Sequence, residues 1–246
     1  MNRIMGGKGW IAGLAVAILL AGVLVSGCAG AFRTLDGNST PGTAEGGVTL
    51  PEPRFESGVS VEEALRERRS VRSYADLPLA LADVGQLLWA AQGVTDDEGH
   101  RTAPSAGALY PLEVYVVAGS VEGIEPGVYH YRPGEHLLLR VGNGDRRADL
   151  QAAAASQTSV GDAPATIVIA AVPDRTIERY GERGMRYVEM EVGHAAENVY
   201  LQAEALGLGT VAIAAFDEGE VGEILAPPEG TVPLYLMPVG HPGPGT

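Results

Sequence analysis

Apolar residues recur at helical spacing in some blocks of the chain and gather into short continuous runs in others. Ser60-Val61-Glu62-Glu63 has the form of a capping box, a hydroxyl followed three residues on by a carboxylate. It predicts a short helix over 61–68. Leu81, Val84, Leu87, Leu88 and Ala91 share one face of a second helix over 79–91, with Gly93 as its stop. The longest periodic block covers 187–206, where Val188, Val192, Ala195, Ala196, Val199, Ala203 and Leu206 align and Gly207 ends the run. Two further helices are predicted over 146–155 and 218–225. Elsewhere the period changes. β-branched and aromatic residues over 113–118, 128–131 and 137–141 predict strands, the last two joined by a turn at Pro133-Gly134. The apolar run over 166–172 reads as a buried strand, and 209–215 and 231–239 as two more. Helices interleaved with strands, plus one hairpin, predict a layered α+β or mixed α/β domain.

The N-terminal stretches lack this patterning. Arg3 and Lys8 precede an uncharged apolar run over 10–25, closed by Val25-Ser26-Gly27-Cys28. That is the layout of a signal peptide, and the run is short of the ~20 residues a spanning helix needs. The last four residues resemble a lipoprotein cleavage box, so residues 1–28 read as a lipoprotein-type signal peptide with Cys28 as the lipidated residue. An uncleaved anchor with an incidental cysteine is the alternative. Both readings place the remainder outside the cytoplasm, anchored to a membrane. Residues 29–57, rich in Gly, Thr, Ser and Pro, read as a flexible tether, and residues 58–246 as the globular body.

Charge and composition remove several chemistries. The chain carries 17 basic and 31 acidic residues, a net charge of −14, which argues against nucleic acid as a partner. Lys8 is the only lysine, so the body offers no Schiff-base or lysine-base chemistry. With one cysteine there is no internal disulfide framework. His100, His130, His136, His194 and His241 show no metal-ligand spacing. No nucleophile elbow and no lysine-bearing phosphate loop occurs. Glu189 and Glu191 fall in the long helix and read as solvent-facing carboxylates.

Three segments carry more specific chemistry. Arg68, Ser70 and Arg72 alternate just beyond the first helix, so on an extended chain their side chains leave on one side. Guanidinium forks with a hydroxyl suit a phosphate monoester, although a solvated charge cluster at a helix end has the same composition. Pro104 through Pro111 is rich in small residues that let backbone approach a flat ligand, or is an ordinary Gly/Pro loop. In Leu206 through Asp217 a helix, a glycine turn, an apolar strand and a second helix start follow in order. Ala214 and Ala215 close that strand with small side chains and leave amides open to a ligand; a plain core strand is the alternative.

Together, Arg68-Arg69-Ser70-Val71-Arg72, Pro104-Ser105-Ala106-Gly107-Ala108-Leu109-Tyr110-Pro111-Leu112-Glu113, Gly193-His194-Ala195-Ala196-Glu197-Asn198-Val199-Tyr200-Leu201-Gln202-Ala203 and Gly207-Leu208-Gly209 through Asp217 resemble the nitroreductase superfamily, and its SagB-type dehydrogenase branch most. The resemblance implies an α+β sandwich around a mostly antiparallel sheet flanked by helices, built as a homodimer with FMN at the subunit interface. It implies an oxidoreductase that works by ping-pong, passing hydride or electrons through flavin N5 to a small acceptor, with NADH or NADPH as donor. By the same resemblance Arg68 and Ser70 hold the FMN phosphate, Arg69 belongs to the same cofactor-binding set, and Arg72 stands beside the N1 and O2 edge. Pro104, Ser105, Ala106 and Gly107 pack on the ring from the partner subunit, Ala214 and Ala215 meet N5, and Gln157 makes a further ring contact. The branch's azoline oxidases use a Lys-Tyr base, whereas this chain has Arg179-Tyr180 and Arg186-Tyr187, whose arginines stay protonated. Dehydrogenation of a modified peptide, or a flavin-binding scaffold without turnover, are the alternatives.

Overall fold

The computed structural model describes residues 43–44 and 47–244. Among them eight strands form one sheet: β1 (Thr43–Ala44), β2 (Gly47–Thr49), β3 (Leu112–Ala118), β4 (Gly127–Arg132), β5 (Leu137–Asn143), β6 (Ala165–Ala171), β7 (Gly209–Thr210) and β8 (Val232–Gly240). Their order is β1-β2-β5-β4-β3-β6-β8-β7, with every neighbouring pair antiparallel. The helices are α1 (Val61–Glu67), α2 (Leu81–Gln92), α3 (Arg147–Ala153), α4 (Thr158–Asp162), α5 (Asp174–Tyr180), α6 (Gly184–Ala205) and α7 (Glu218–Leu225). Among the described residues no helix is long and apolar enough to cross a membrane.

Both faces of the sheet are covered, which is why its central strands read as continuous apolar runs. Successive side chains of a strand point to opposite faces. Val114, Val116, Ile167, Ile169 and Met237 lie in one core with Leu87 and Leu88 of α2 and Val188, Val192, Ala195 and Val199 of α6. Tyr115, Val117, Val168, Ala170 and Leu236 lie in the other, with Leu150 of α3, Val160 of α4 and Val221 and Leu225 of α7. The result is the expected α+β sandwich around an antiparallel sheet.

The predicted elements hold with local corrections. Ser60 caps α1, its Oγ accepting from the Glu63 amide at 3.1 Å. α2 begins at Leu81 because the Leu79 amide donates to the Ser120 carbonyl, at 3.1 Å, in a short bridge. α3 stops at Ala153, ahead of Ala155 and Ser156, whose φ values of 51° and 60° no helix accepts. α6 starts at Gly184, earlier than its apolar stripe, where a Cβ would lie 2.6 Å from the Ile177 Cα of α5. α4 and α5 are too short to show a period, and the sequence pattern does not predict them.

Two expectations hold only in part. The 29–57 stretch is not wholly a tether: β2 pairs with β5, Leu50 is buried, and Phe55 meets Trp89 edge to face at 5.5 Å. The 209–215 stretch is not a full strand. Only Gly209–Thr210 joins the ladder and Ile213 makes a lone bridge to Leu236, because a tyrosine hydroxyl takes the Ala212 amide between them. The proposed signal peptide, Cys28 and the start of the tether lie outside the described residues.

Candidate functional site

α1 ends at Arg68, whose amide donates to the Ala64 carbonyl, and the chain then runs extended along β7. Ser70 bridges Thr210 in parallel, and the Val71 amide donates to the Thr210 carbonyl at 2.9 Å. This approach requires Gly209, since a Cβ there would stand 2.5 Å from Val71 Cγ1. Tyr74 locks the segment from beneath, its hydroxyl donating to the carbonyls of Val71 and Pro238 at 2.8 and 2.9 Å. Burial pushes that phenol well above its ordinary range.

Tyr200, on the second half of α6, ties this segment to the next one. Its hydroxyl accepts from the Ala212 amide at 2.7 Å, which leaves its own proton for Ser70 Oγ at 3.2 Å. The Arg68 guanidinium stands over its ring, 5.1 Å from the centroid. Arg72 reaches the Ser70 carbonyl at 3.4 Å. Arg69 folds back instead, Nη1 donating to the Arg66 and Arg68 carbonyls at 2.9 and 2.8 Å. Among the described residues none of these three arginines pairs with a carboxylate, in a chain with an excess of them.

Beyond Ala212 the chain reaches Ala214 and Ala215, both exposed, and their amides have no partner among the described residues. Gln157 lies beside them, Nε2 donating to the Ala215 carbonyl at 3.2 Å and to the Ala154 carbonyl at 3.1 Å. Arg68, Ser70, Arg72, Ala214, Ala215 and Gln157 thus line one edge. From Thr210 to Ala214 it spans at most about 13 Å.

Pro104, Ser105, Ala106 and Gly107 are held elsewhere, against the first half of α6. Ser105 Oγ accepts from the Tyr110 amide at 2.9 Å. Gly107, Ala108 and Tyr110 take φ values of 65°, 53° and 46°. A side chain at Gly107 would collide with the Tyr180 hydroxyl, 2.7 Å from the Cβ position. Arg175 holds the far end, Nη1 donating to the Tyr110 carbonyl at 3.1 Å and Nη2 pairing with Glu113 at 2.6 Å. Glu113 also meets His130 Nε2 at 2.6 Å, and these two partners outweigh burial in holding its carboxyl below the usual range. Glu191, under this loop, and Tyr200, under Ser70, are nine residues apart, roughly 13 Å along α6. One chain therefore carries the two halves of the expected site at separate places.

Two residues escaped the sequence reading. Tyr200 was only part of a motif, and nothing local announces that its hydroxyl caps an amide twelve residues on. Glu191 was read as solvent-facing, yet it is 3% exposed. Its position was legible: it lies three residues after Val188 and four before Ala195, on the buried stripe. Burial raises its carboxyl to about 7, against the Ser105 hydroxyl, Arg101 and the Ala106 amide, which favour the charged form. A separate cleft of about 480 Å³, between residues 54–61 and the α2 and α6 helices, contains none of the expected site residues.

The nitroreductase family model matches residues 65–241. A Methanocaldococcus jannaschii protein named for the nitroreductases, MJ1384, is 50% identical over 183 residues, covering 74% of this chain and 91% of its own. The crystal structure of a Ralstonia eutropha JMP134 protein, likewise titled a nitroreductase, superposes with a TM-score of 0.72 at 32% identity, covering 82% of this chain and 92% of that one. The microcin B17-processing protein McbC of Escherichia coli is 27% identical over 143 residues, 56% of this chain and 53% of its own. The chain belongs to the nitroreductase family, a family of oxidoreductases.

Proposed function

We propose that the chain is an FMN-dependent oxidoreductase acting on a small molecule, with its cofactor along the edge from Arg68 to Ala215. The observation that carries this is the edge itself: unpaired guanidiniums and a hydroxyl at one end, free amides and methyl-sized side chains at the other. Those groups fit a phosphorylated, planar cofactor. Arg68 and Ser70 would hold the phosphate, charge-assisted bonds to such a group contributing about 1.5–3 kcal/mol each. Arg69 is committed to the α1 carbonyls and would add charge without a direct bond. Arg72 would supply a fixed positive charge where the reduced ring is anionic. The Ala214 and Ala215 amides would face the ring, and Gln157 holds their segment through the Ala215 carbonyl. When bound, the flavin supplies two-electron chemistry, and the chain supplies position, charge and shelter from water.

The same reading takes NADH or NADPH as donor in a ping-pong cycle and a homodimer as the working unit. The separation of the two half-sites supports the dimer: Pro104, Ser105, Ala106 and Gly107 would complete the cleft of the partner copy. Dehydrogenation of a modified peptide is the second reading, favoured by the likeness to the microcin B17-processing protein McbC. The two arginine-tyrosine pairs count against it, since neither arginine serves as a base. We further propose that Cys28 carries a lipid anchor and that the enzyme works outside the cytoplasm. Purified protein tests the enzyme directly. A yellow product whose absorbance bleaches with NADH or NADPH and returns on adding a quinone or nitroaromatic supports it. A colourless protein that ignores added FMN would leave a fold without this function.

A further inference from the structure

Three guanidiniums meet the 104–110 loop, and they differ in what else holds them. Arg101 lies over the Tyr110 ring, 4.7 Å from its centroid, with Nη1 donating to Gln92 at 2.9 Å. Arg175 donates to the Tyr110 carbonyl at 3.1 Å and pairs with Glu113 at 2.6 Å. Those two are firmly partnered. Arg179, exposed in the last turn of α5, reaches the Gly107 carbonyl at 3.4 Å and pairs with no carboxylate among the described residues.

Tyr180 brings a second donor to the same place. Its hydroxyl stands 2.7 Å, and Arg179 Nη1 3.0 Å, from the point that a Cβ on Gly107 would occupy. The missing side chain at 107 is what lets both donors close over the loop. The Tyr180 hydroxyl has no hydrogen-bond partner among the described residues, while its ring is fixed edge to face on Tyr187 at 5.1 Å. The Arg179 guanidinium lies 5.6 Å from the centroid of the Tyr180 ring. An arginine in a last turn also suits the helix macrodipole, but that accounts for neither the converging phenol nor the glycine. Arg183 and Arg186, exposed at the α5–α6 corner, are likewise without ion pairs among the described residues, and the exposed Glu178 and Glu182 pair with none of them. In a chain of net charge −14, guanidiniums left without counter-ions make a local field that draws anions. The loop beneath holds Ala108 and Tyr110 at φ values of 53° and 46°, backbone strain of the kind that gathers at ligand sites.

We infer that Arg179 and Tyr180 are a specificity-determining pair: they bind the anionic group, a carboxylate or a phosphate, of the small molecule that enters the cleft. The guanidinium keeps Nε and Nη2 for the oxygens of such a group, and the phenol adds a further donor. This rests on the proposed function, in which the 104–107 loop completes the cofactor cleft of the partner copy. The pair stands on that loop and so faces whatever reacts there.

The probes are para-nitrobenzoate and para-nitrobenzamide, which share a shape and differ in charge. Calorimetry measures their binding to the oxidised, FMN-loaded protein in the absence of a donor. The wild type should bind the carboxylate roughly tenfold more tightly than the amide. Arg179→Gln should lose that preference, Arg179→Lys, which keeps the charge, should retain part of it, and Tyr180→Phe should weaken carboxylate binding severalfold. Flavin reduction by NADH and by N-benzyl-dihydronicotinamide, which has no phosphate, tells the two sources of the anion apart. Loss of the carboxylate preference in Arg179→Gln assigns the anion to the acceptor. An Arg179→Gln protein that slows NADH roughly tenfold more than the benzyl compound assigns it to the donor's phosphates. An Arg179→Gln protein that matches the wild type in both comparisons overturns the inference. A protein that takes up no FMN retracts the cofactor reading instead, and the same calorimetry on the flavin-free protein then decides for or against Arg179.

Discussion

Replacing Tyr200 by Phe removes one oxygen from the point where the 68–72 segment meets the chain beyond β7. That oxygen accepts from the Ala212 amide at 2.7 Å and pairs with Ser70 Oγ at 3.2 Å. The two losses differ in size. Ser70 is exposed and regains a water, so its share is near zero. Ala212 is partly buried at the point where the chain leaves the ladder, and its amide has no other acceptor among the described residues. An unsatisfied donor of this kind costs roughly 1–3 kcal/mol, and we take about 1.5 for a partly buried one. The aromatic ring remains, so the Arg68 contact above it should persist. For a body of this size the change corresponds to a fall in Tm of roughly 3–6 °C. Urea unfolding should show a lower midpoint with an unchanged slope, because the surface exposed on unfolding is the same. FMN should bind more weakly, because the segment bearing the Ala214 and Ala215 amides is no longer pinned to Ser70. The Ser70→Ala, Tyr200→Phe double mutant should resemble Tyr200→Phe in stability. A Tyr200→Phe protein as stable as the wild type within about 0.3 kcal/mol would refute the assignment of that hydroxyl as the acceptor that ends β7.

Other perturbations follow from the same contacts. Gly209→Ala places a methyl 2.5 Å from Val71 Cγ1, so the 70–72 segment must lift; a stability loss of about 1–3 kcal/mol and weakened FMN binding are expected from chemical denaturation and fluorescence titration. Gly184→Ala sets a Cβ 2.6 Å from the Ile177 backbone and should destabilise the α5–α6 corner by a similar amount while leaving FMN affinity unchanged. Glu191→Gln should alter global stability in a pH-dependent way. The folded carboxyl is raised from 4.5 to about 7, so its protonated form stabilises the fold and this is lost as pH rises through that interval, by roughly 3 kcal/mol at most. The difference between wild-type and variant unfolding curves should therefore change across that range and level off above it; a flat difference contradicts the burial argument.

Most of the architecture was legible because it is written in periodicity. The α2 and α6 stripes, the β4–β5 hairpin and the doubly buried β3 and β6 all follow from apolar spacing alone. Residues that act across distance were not legible in the same way. The strand expected over 209–215 broke because a hydroxyl from α6 replaced a backbone partner, a substitution that no local pattern announces. Residues 47–55 looked like a tether by composition, yet Leu50, Phe55 and the short β2 found partners in the sheet edge and α2. α4 and α5 are five and seven residues long, too short for a helical period to separate from noise. For the site, Arg68, Ser70, Arg72, Gln157, Ala214 and Ala215 came together as one edge, while Arg69 turned away to its own helix. Glu191 was misjudged although its register was readable, because a carboxylate is seldom buried without a partner.

The central claim is that the guanidiniums beyond α1 exist to bind the phosphate of a flavin. Titrating the purified body with FMN and with riboflavin, which lacks only the phosphate, in the wild type and in Arg68→Ala isolates that contact by tryptophan or flavin fluorescence. The wild type should prefer FMN, and Arg68→Ala should lose roughly 10- to 100-fold in FMN affinity with riboflavin affinity unchanged. A wild type that binds both equally, or an Arg68→Ala protein that keeps the full preference for FMN, would contradict it.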